Sequence, residues 1–144
     1  MALQKLSSAE NLDPTYWETY RTLAYIYTVT KKAREAVEAG QTALKLNDLD
    51  ANTYNNLAWV YATSDDKSVR NLELALKYAN EAVNLTHAQT PEFLDTLAEV
   101  HLQRGGEGER DIAMAYLKSA IEIAPSKDKS VFLKRLNTLF PGEK

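Results

Sequence analysis

Residues able to carry out catalysis or to bind a metal are few in this sequence, and none forms a recognisable constellation. His87 and His101 are the two histidines, and neither has a partner at the ligand spacing of a zinc site. The glycine-rich segment 105–108 lacks the lysine and the hydroxyl residue of a phosphate-binding loop. Asp65 and Asp66 lack the ligand spacing of a calcium loop, and the chain contains no cysteine. We therefore expect no enzymatic activity, no metal and no cofactor.

Residues suited to binding a partner are found on one predicted helix in the middle of the chain. Its apolar residues recur at i, i+3, i+4 and i+7, which is the pattern of one face of an α-helix. They are Tyr54, Leu57, Ala58 and Tyr61. Asn55 and Trp59 fall together on a different face, which places an aromatic ring beside an amide. The first face predicts packing, and the second is a candidate binding surface.

The same apolar spacing occurs three times, so the helix that carries Trp59 belongs to an internal repeat. The equivalent residues are Tyr20, Leu23, Ala24 and Tyr27 in the first copy and Leu94, Leu97, Ala98 and His101 in the third. The first copy lies 34 residues before the middle one. In the second helices Ala36 and Ala75 are 39 residues apart, so the middle copy holds five extra residues in its internal loop. The prediction is a single domain of 1–144, with a half repeat at 2–14, repeats at 15–50, 51–89 and 90–126, and a capping helix at 127–144.

This pattern resembles the tetratricopeptide repeat, a helix-turn-helix unit of 34 residues. The run 56–59 and the long loop look like a variant seen in bacterial multi-repeat proteins. The resemblance implies an all-α fold, a right-handed α-solenoid in which the first helix of each repeat lines a concave groove that commonly binds a peptide. Gly40 and Ala79 depart from the family pattern, because they replace a large apolar residue of the second helix. At Gly40 we expect a close approach between helices, or a site that accepts a large side chain such as Trp17 or Tyr16.

The groove implied by the resemblance would be lined by residues of all three first helices. They are Arg21, Tyr25, Asn52, Asn55, Asn56, Trp59, Glu92, Asp95 and Glu99. Glu92 would repel a carboxylate, so we reject the chaperone-binding carboxylate clamp of one specialised form of the family. Tyr25 and Trp59 are candidates for peptide contact, and the alternative for Trp59 is packing between adjacent first helices. Asp95 and Glu99, like Glu92, are typical of a solvated helix face, and one hypothesis is that a ligand places a basic residue near them.

Composition limits the classes of partner. The formal net charge is −3 and no basic stripe is visible, which argues against nucleic-acid binding. A modest basic face near the C-terminus is interpreted as a solvated cap; it consists of Lys127, Lys129, Lys134 and Arg135. No apolar run approaches the roughly 18 residues of a membrane span. No signal peptide is visible, which slightly favours a cytoplasmic protein.

The N-terminal segment raises the question of what covers it. Residues 2–14 match the second helix of a repeat whose first helix is missing, and a repeat buries its apolar face only against a neighbour.

We predict a protein–protein interaction scaffold that binds a protein or peptide segment in the groove. The alternative is a structural element that self-assembles into a homo-oligomer by stacking through the open helix at 2–12.

Overall fold

The computed structural model describes residues 16–142, and this part of the chain forms seven α-helices and no strand. The helices are α1 (Trp17–Val29), α2 (Ala33–Leu46), α3 (Ala51–Thr63), α4 (Leu72–Leu85), α5 (Pro91–Arg104), α6 (Glu107–Ile123) and α7 (Lys129–Leu139). The all-α prediction is thereby confirmed for the described residues. The predicted half repeat at 2–14 lies outside them.

The helices pack in pairs that follow the repeat of the sequence. α1 packs most extensively on α2, α3 on α4, and α5 on α6. Between pairs, α3 contacts both α1 and α2, and α5 contacts both α3 and α4. The last helix, α7, packs on α6. This order of contacts is consistent with a helical repeat, in which each unit packs on its neighbours along the chain.

Local sequence determines where several helices begin and end. Asn71 precedes α4, and its side-chain oxygen accepts a hydrogen bond from the backbone of the first helical turn. α5 begins with Pro91, whose fixed φ suits the first turn, and is followed by Gly105, whose φ of 79° favours glycine. Asp50 precedes α3, and its carboxylate accepts a hydrogen bond from the hydroxyl of Thr53 at 2.5 Å instead of one from a backbone N–H. The start of α3 is therefore held by a buried side-chain hydrogen bond.

Buried apolar side chains form one large cluster and two smaller ones. The large cluster joins α3, α4 and α5 and reaches α6 and α7 through Ala120 and Phe132. The cluster shared by α1 and α2 consists of Tyr20, Leu23, Ala24, Ala39 and Ala43. The cluster shared by α5, α6 and α7 consists of Ala98, Ala113, Leu117, Leu136 and Phe140. The first helix pair therefore has a small core of its own.

Gly40 of α2 marks a close approach between the first and second helix pairs. A Cβ added at Gly40 would lie 2.7 Å from Leu57 Cδ2 and 2.9 Å from Leu57 Cγ. The predicted close approach is confirmed. The side chain that Gly40 accepts is Leu57 of α3, however, and the expectation of Trp17 or Tyr16 was wrong, because the next helix pair packs over α2 at this point.

Candidate functional site

Arg21 of α1 is surrounded by acidic and aromatic side chains. Its guanidinium lies 3.5 Å from the carboxylate of Asp50 and 3.8 Å from that of Glu18. The guanidinium carbon is 5.1 Å from the centroid of the Trp17 ring, which is cation–π geometry. The charge of Arg21 is therefore compensated within the protein, and this residue is a poor anchor for an anionic ligand.

Tyr25, one turn after Arg21 on α1, is open to solvent. Its side chain is 57% exposed, and Val29 in the following turn is 58% exposed. Residues four apart lie on the same face of a helix, so the two form a continuous exposed apolar strip. Tyrosine is among the residues most enriched at binding hot spots, which makes this strip a candidate contact surface.

Trp59 lines an open cleft of about 630 Å³ at the C-terminal ends of α1 and α3. Tyr27 and Val60 add apolar surface to the cleft, and Lys31 and Lys32 of the α1–α2 turn also line it. A volume of roughly 300–1,000 Å³ is typical of ligand-binding clefts. Trp59 is partly buried. One part of its surface therefore packs within the protein, and another part is available to a ligand.

The long loop between α3 and α4 forms one wall of this cleft. Asp65 and Asp66 of the loop line it. Arg34, at the start of α2, holds the loop in place: its Nε donates to Asp66 at 3.2 Å and its Nη2 donates to Ser68 at 2.8 Å. Hydrogen bonds from Ser68, and then from Arg34, hold the pKa of the Asp66 carboxyl below its usual value. The sequence predicted the longer loop but gave no sign that it would build a cleft.

Three asparagines of the predicted groove lie on α3 at different depths. Asn52 is exposed and Asn56 is partly buried. The side-chain oxygen of Asn55 is buried, and no donor within residues 16–142 bonds to it. An unsatisfied buried acceptor costs about 1–3 kcal/mol. The unpaired oxygen of Asn55 is therefore expected to lower the stability of the fold.

The acidic residues of α5 find a basic partner within the protein itself. Arg135 of α7 donates to Asp95 through Nε and to Glu99 through Nη2, the latter at 2.5 Å. Glu99 also accepts a hydrogen bond from Gln103 at 2.8 Å, and Gln103 accepts one from Arg70 at 2.8 Å. α7 thus supplies the basic residue that the sequence led us to expect from a ligand, and these two carboxylates are not free to bind one.

Burial and ion pairing act in opposite directions on the pKa values of this cluster. It raises the pKa of Asp95 above its usual value of 3.8, and the hydrogen bond and charge of Arg135 offset only part of the rise. Burial also disfavours the charge on Arg135, but hydrogen bonds to Glu99 and Asp95 outweigh it and raise the pKa of the guanidinium. The Arg135 side chain is only 25% exposed, so its assignment to a solvated basic face was wrong. Glu92 is exposed to solvent, whereas Asp95 and Glu99 are partly buried.

His101 packs as expected and also makes a polar contact that the sequence did not reveal. Its ring is buried and stacks on Tyr116, with a centroid distance of 5.7 Å. Its Nδ1 lies 2.5 Å from Glu109 Oε2, and Arg104 donates to the other carboxylate oxygen at 3.2 Å. The hydrogen bond with His101 lowers the pKa of Glu109, against an opposing effect of burial, and the charge of Arg104 lowers it further. The cluster joins α5 to α6 around the glycine turn.

The structure therefore divides the predicted groove into two parts. On α1 and α3, Tyr25 and Asn52 are exposed and Trp59 lines the cleft, whereas Asp95 and Glu99 on α5 are covered by Arg135. No family model and no curated protein matches the chain, so comparison with known proteins does not identify it. Among the described helices, none is long and apolar enough to cross a bilayer. Residues 16–142 also contain no cluster of three or more acidic or histidine side chains that could hold a metal ion.

Proposed function

We propose that the chain is a repeat protein of the tetratricopeptide type, a right-handed α-solenoid, that binds an extended protein or peptide segment and catalyses no reaction. The 34-residue spacing of the apolar faces and the pairwise packing of the helices support this repeat type. In this arrangement α1, α3 and α5 line the concave side. A preformed surface of this kind binds a segment with little cost of reorganisation.

The observation that carries the proposal is the cleft lined by Trp59. Thr28, which lines the same cleft, lies three residues after the exposed Tyr25 on α1. A segment that crosses α1 and α3 would cover the Tyr25 ring and place a side chain in the cleft against Trp59. Aromatic residues in such positions are the usual anchors of an interface.

Some of the charges around this surface are compensated within the protein. Arg21 is compensated by Asp50, and Arg135 compensates Asp95 and Glu99. The surface between these pairs carries the aromatic rings of Tyr25 and Trp59, and the cleft beside it is also lined by Lys31, Lys32, Asp65 and Asp66. Because lysines and carboxylates both line the cleft, we expect the affinity for a charged segment to depend on salt more strongly than the affinity for a neutral one.

Selection of a random-peptide library against the protein tests this proposal. The dissociation constants of selected peptides are then measured by calorimetry for the wild type and for the Trp59→Ala and Tyr25→Ala variants. Each variant is expected to bind at least about tenfold more weakly, a loss of about 1.4 kcal/mol. Leu49→Ala is the matched control, since Leu49 is 71% exposed and lies outside this surface. Equal affinities for all four proteins would show that the peptides bind elsewhere.

A further inference from the structure

The cleft beside Trp59 carries charges of both signs, on different segments of its lining. Lys31 and Lys32 lie in the α1–α2 turn, whereas Asp65 lies in the α3–α4 loop. We propose that the cleft takes an extended segment of a partner protein in which an apolar side chain lies between an acidic and a basic residue. The acidic residue faces the two lysines and the basic residue faces Asp65. This inference rests on the proposed function and specifies the ligand of the same site.

The two lysines are available to a ligand. Both are exposed, and within residues 16–142 neither forms an ion pair. The turn is closed by backbone hydrogen bonds, from Lys31 to the carbonyl of Thr28 at 3.2 Å and from Lys32 to the carbonyl of Tyr27 at 2.8 Å. The lysine side chains are therefore not needed to form the turn, and their ammonium groups can pair with a carboxylate of a ligand.

Lys31 occupies a backbone position that favours glycine. It follows the C-terminal end of α1 and has a φ of 60°, in the left-handed region. Glycine is the usual residue at such a position, because a β-carbon costs free energy in this conformation. The local fold therefore gives no reason for a lysine at this position, whereas a positive charge at the edge of the cleft does.

The carboxylates of the cleft differ in their contacts within the protein. Asp66 accepts hydrogen bonds from Arg34 and Ser68. Glu35 lies in the first turn of α2, where the helix N-terminus stabilises a negative charge. Asp65 is exposed, and in the described part of the chain it forms no ion pair. Asp65 is therefore the carboxylate best suited to pair with a basic residue of the ligand.

The apolar part of the lining comes from α1 and α3. Tyr27 of α1 and Trp59 and Val60 of α3 line the cleft, and they suit an apolar side chain of the ligand. Complementary charges contribute more to specificity and register than to affinity. A segment that lay in the opposite direction would bring its acidic residue to Asp65 and its basic residue to the lysines, and such like-charge contacts are unfavourable. The cleft therefore distinguishes the two orders of charge.

Parallel selections from one random-peptide library displayed on phage test this inference. The library is selected on the wild type, on a chain carrying Lys31→Gln and Lys32→Gln, and on the Asp65→Asn chain. Peptides from the wild type should carry an acidic and a basic residue on opposite sides of an apolar one, each enriched at least about threefold over the library. The double lysine variant should lose the acidic preference alone, and Asp65→Asn should lose the basic preference alone.

Matched variants separate this effect from a general change of charge or of fold. Lys45→Gln with Lys118→Gln removes the same charge outside the cleft and should select as the wild type does. Lys31→Gly should weaken the acidic preference without lowering the melting temperature, because it relieves the left-handed backbone. A chain carrying Lys31→Glu, Lys32→Glu and Asp65→Lys should select the two charges in the reverse order. Circular dichroism verifies the helical content of each chain.

The possible results distinguish this inference from the function on which it rests. Peptides that need Trp59 for binding but show no charge preference, or a preference that the cleft variants leave unchanged, would overturn the inference and leave the proposed function standing. Peptides whose binding needs neither Trp59 nor Tyr25 would overturn both.

Discussion

Gly40 of α2 and Leu57 of α3 are so close that a β-carbon on the glycine would lie 2.7 Å from the leucine side chain. Leu57 is 1% exposed and belongs to the large buried cluster, so it has little room to withdraw. The contact between the first two helix pairs therefore depends on the absence of a side chain at Gly40.

Substitution of this glycine is expected to destabilise the protein. Gly40→Ala gains about 1 kcal/mol in helix propensity, but it overpacks the junction at a cost of about 1–3 kcal/mol. We expect a net loss of about 1 kcal/mol in the free energy of unfolding, measured by denaturant titration. Gly108→Ala in α6 is the control, because a Cβ there meets no atom within 4 Å, and it should be neutral or stabilising. A stabilising Gly40→Ala would contradict the close packing.

The contact between His101 and Glu109 predicts a dependence of stability on pH. The pKa of Glu109 in the folded protein lies below its usual value of 4.5, so its contribution is present above pH 4.5 and is lost as the pH falls through the folded value. Glu109→Gln should therefore lower the melting temperature at neutral pH, and the difference should vanish in strong acid. Glu107→Gln, an exposed change in the same turn, serves as the control. A difference of constant size across the titration would rule out this role for the carboxylate.

Arg34 is expected to order the wall of the cleft without adding much stability. Its side chain is 67% exposed, and ion pairs between exposed side chains contribute little to stability. Arg34→Ala should leave the free energy of unfolding nearly unchanged, but it should speed hydrogen exchange of the backbone amides in the α3–α4 loop. Lys67→Ala tests whether loss of any positive charge near the loop does the same. Unchanged exchange in Arg34→Ala would show that the wall is held by other contacts.

Two asparagines should respond to substitution in opposite directions. Asn71 caps α4, so Asn71→Ala is expected to cost about 1 kcal/mol. Asn55 has a buried oxygen without a donor in the described part of the chain, so Asn55→Leu should raise the free energy of unfolding by about 1 kcal/mol. Chemical denaturation of both variants checks the contrast. Destabilisation by Asn55→Leu would mean that the amide is satisfied in solution.

The helices could be predicted because the residues on the buried face of a helix recur at a regular spacing in the sequence. Leu23, Leu57 and Leu97 recur at equivalent places on α1, α3 and α5, and each is buried, at 2%, 1% and 1% exposure. The apolar side chains that hold a helix pair together lie three and four residues apart, so a single stretch of sequence reveals the buried face. The same spacing placed Trp59 on a different face from Leu57.

Polar contacts between helices that are distant in the sequence produce no such regular spacing. Asp95 and Arg135 are 40 residues apart, and Arg135 belongs to a helix outside the repeat, so nothing local in the sequence links them. The cleft wall likewise depends on Arg34 meeting Asp66 across 32 residues. The absence of a donor at Asn55 depends on every neighbouring side chain. These features determine which residues of the predicted groove are accessible, and they could be found only from the three-dimensional structure.

The separate core of α1 and α2 has a consequence for how the protein melts. α1 and α2 pack on α3 less extensively than α3 and α4 pack on α5, so we expect the first pair to be coupled more weakly to the rest of the fold. Calorimetry is expected to resolve a low-temperature transition of α1 and α2 from the main one. A ligand that bridges Tyr25 and Trp59 would stabilise the weaker unit and draw the two transitions together, so that binding would appear as a gain in folding cooperativity.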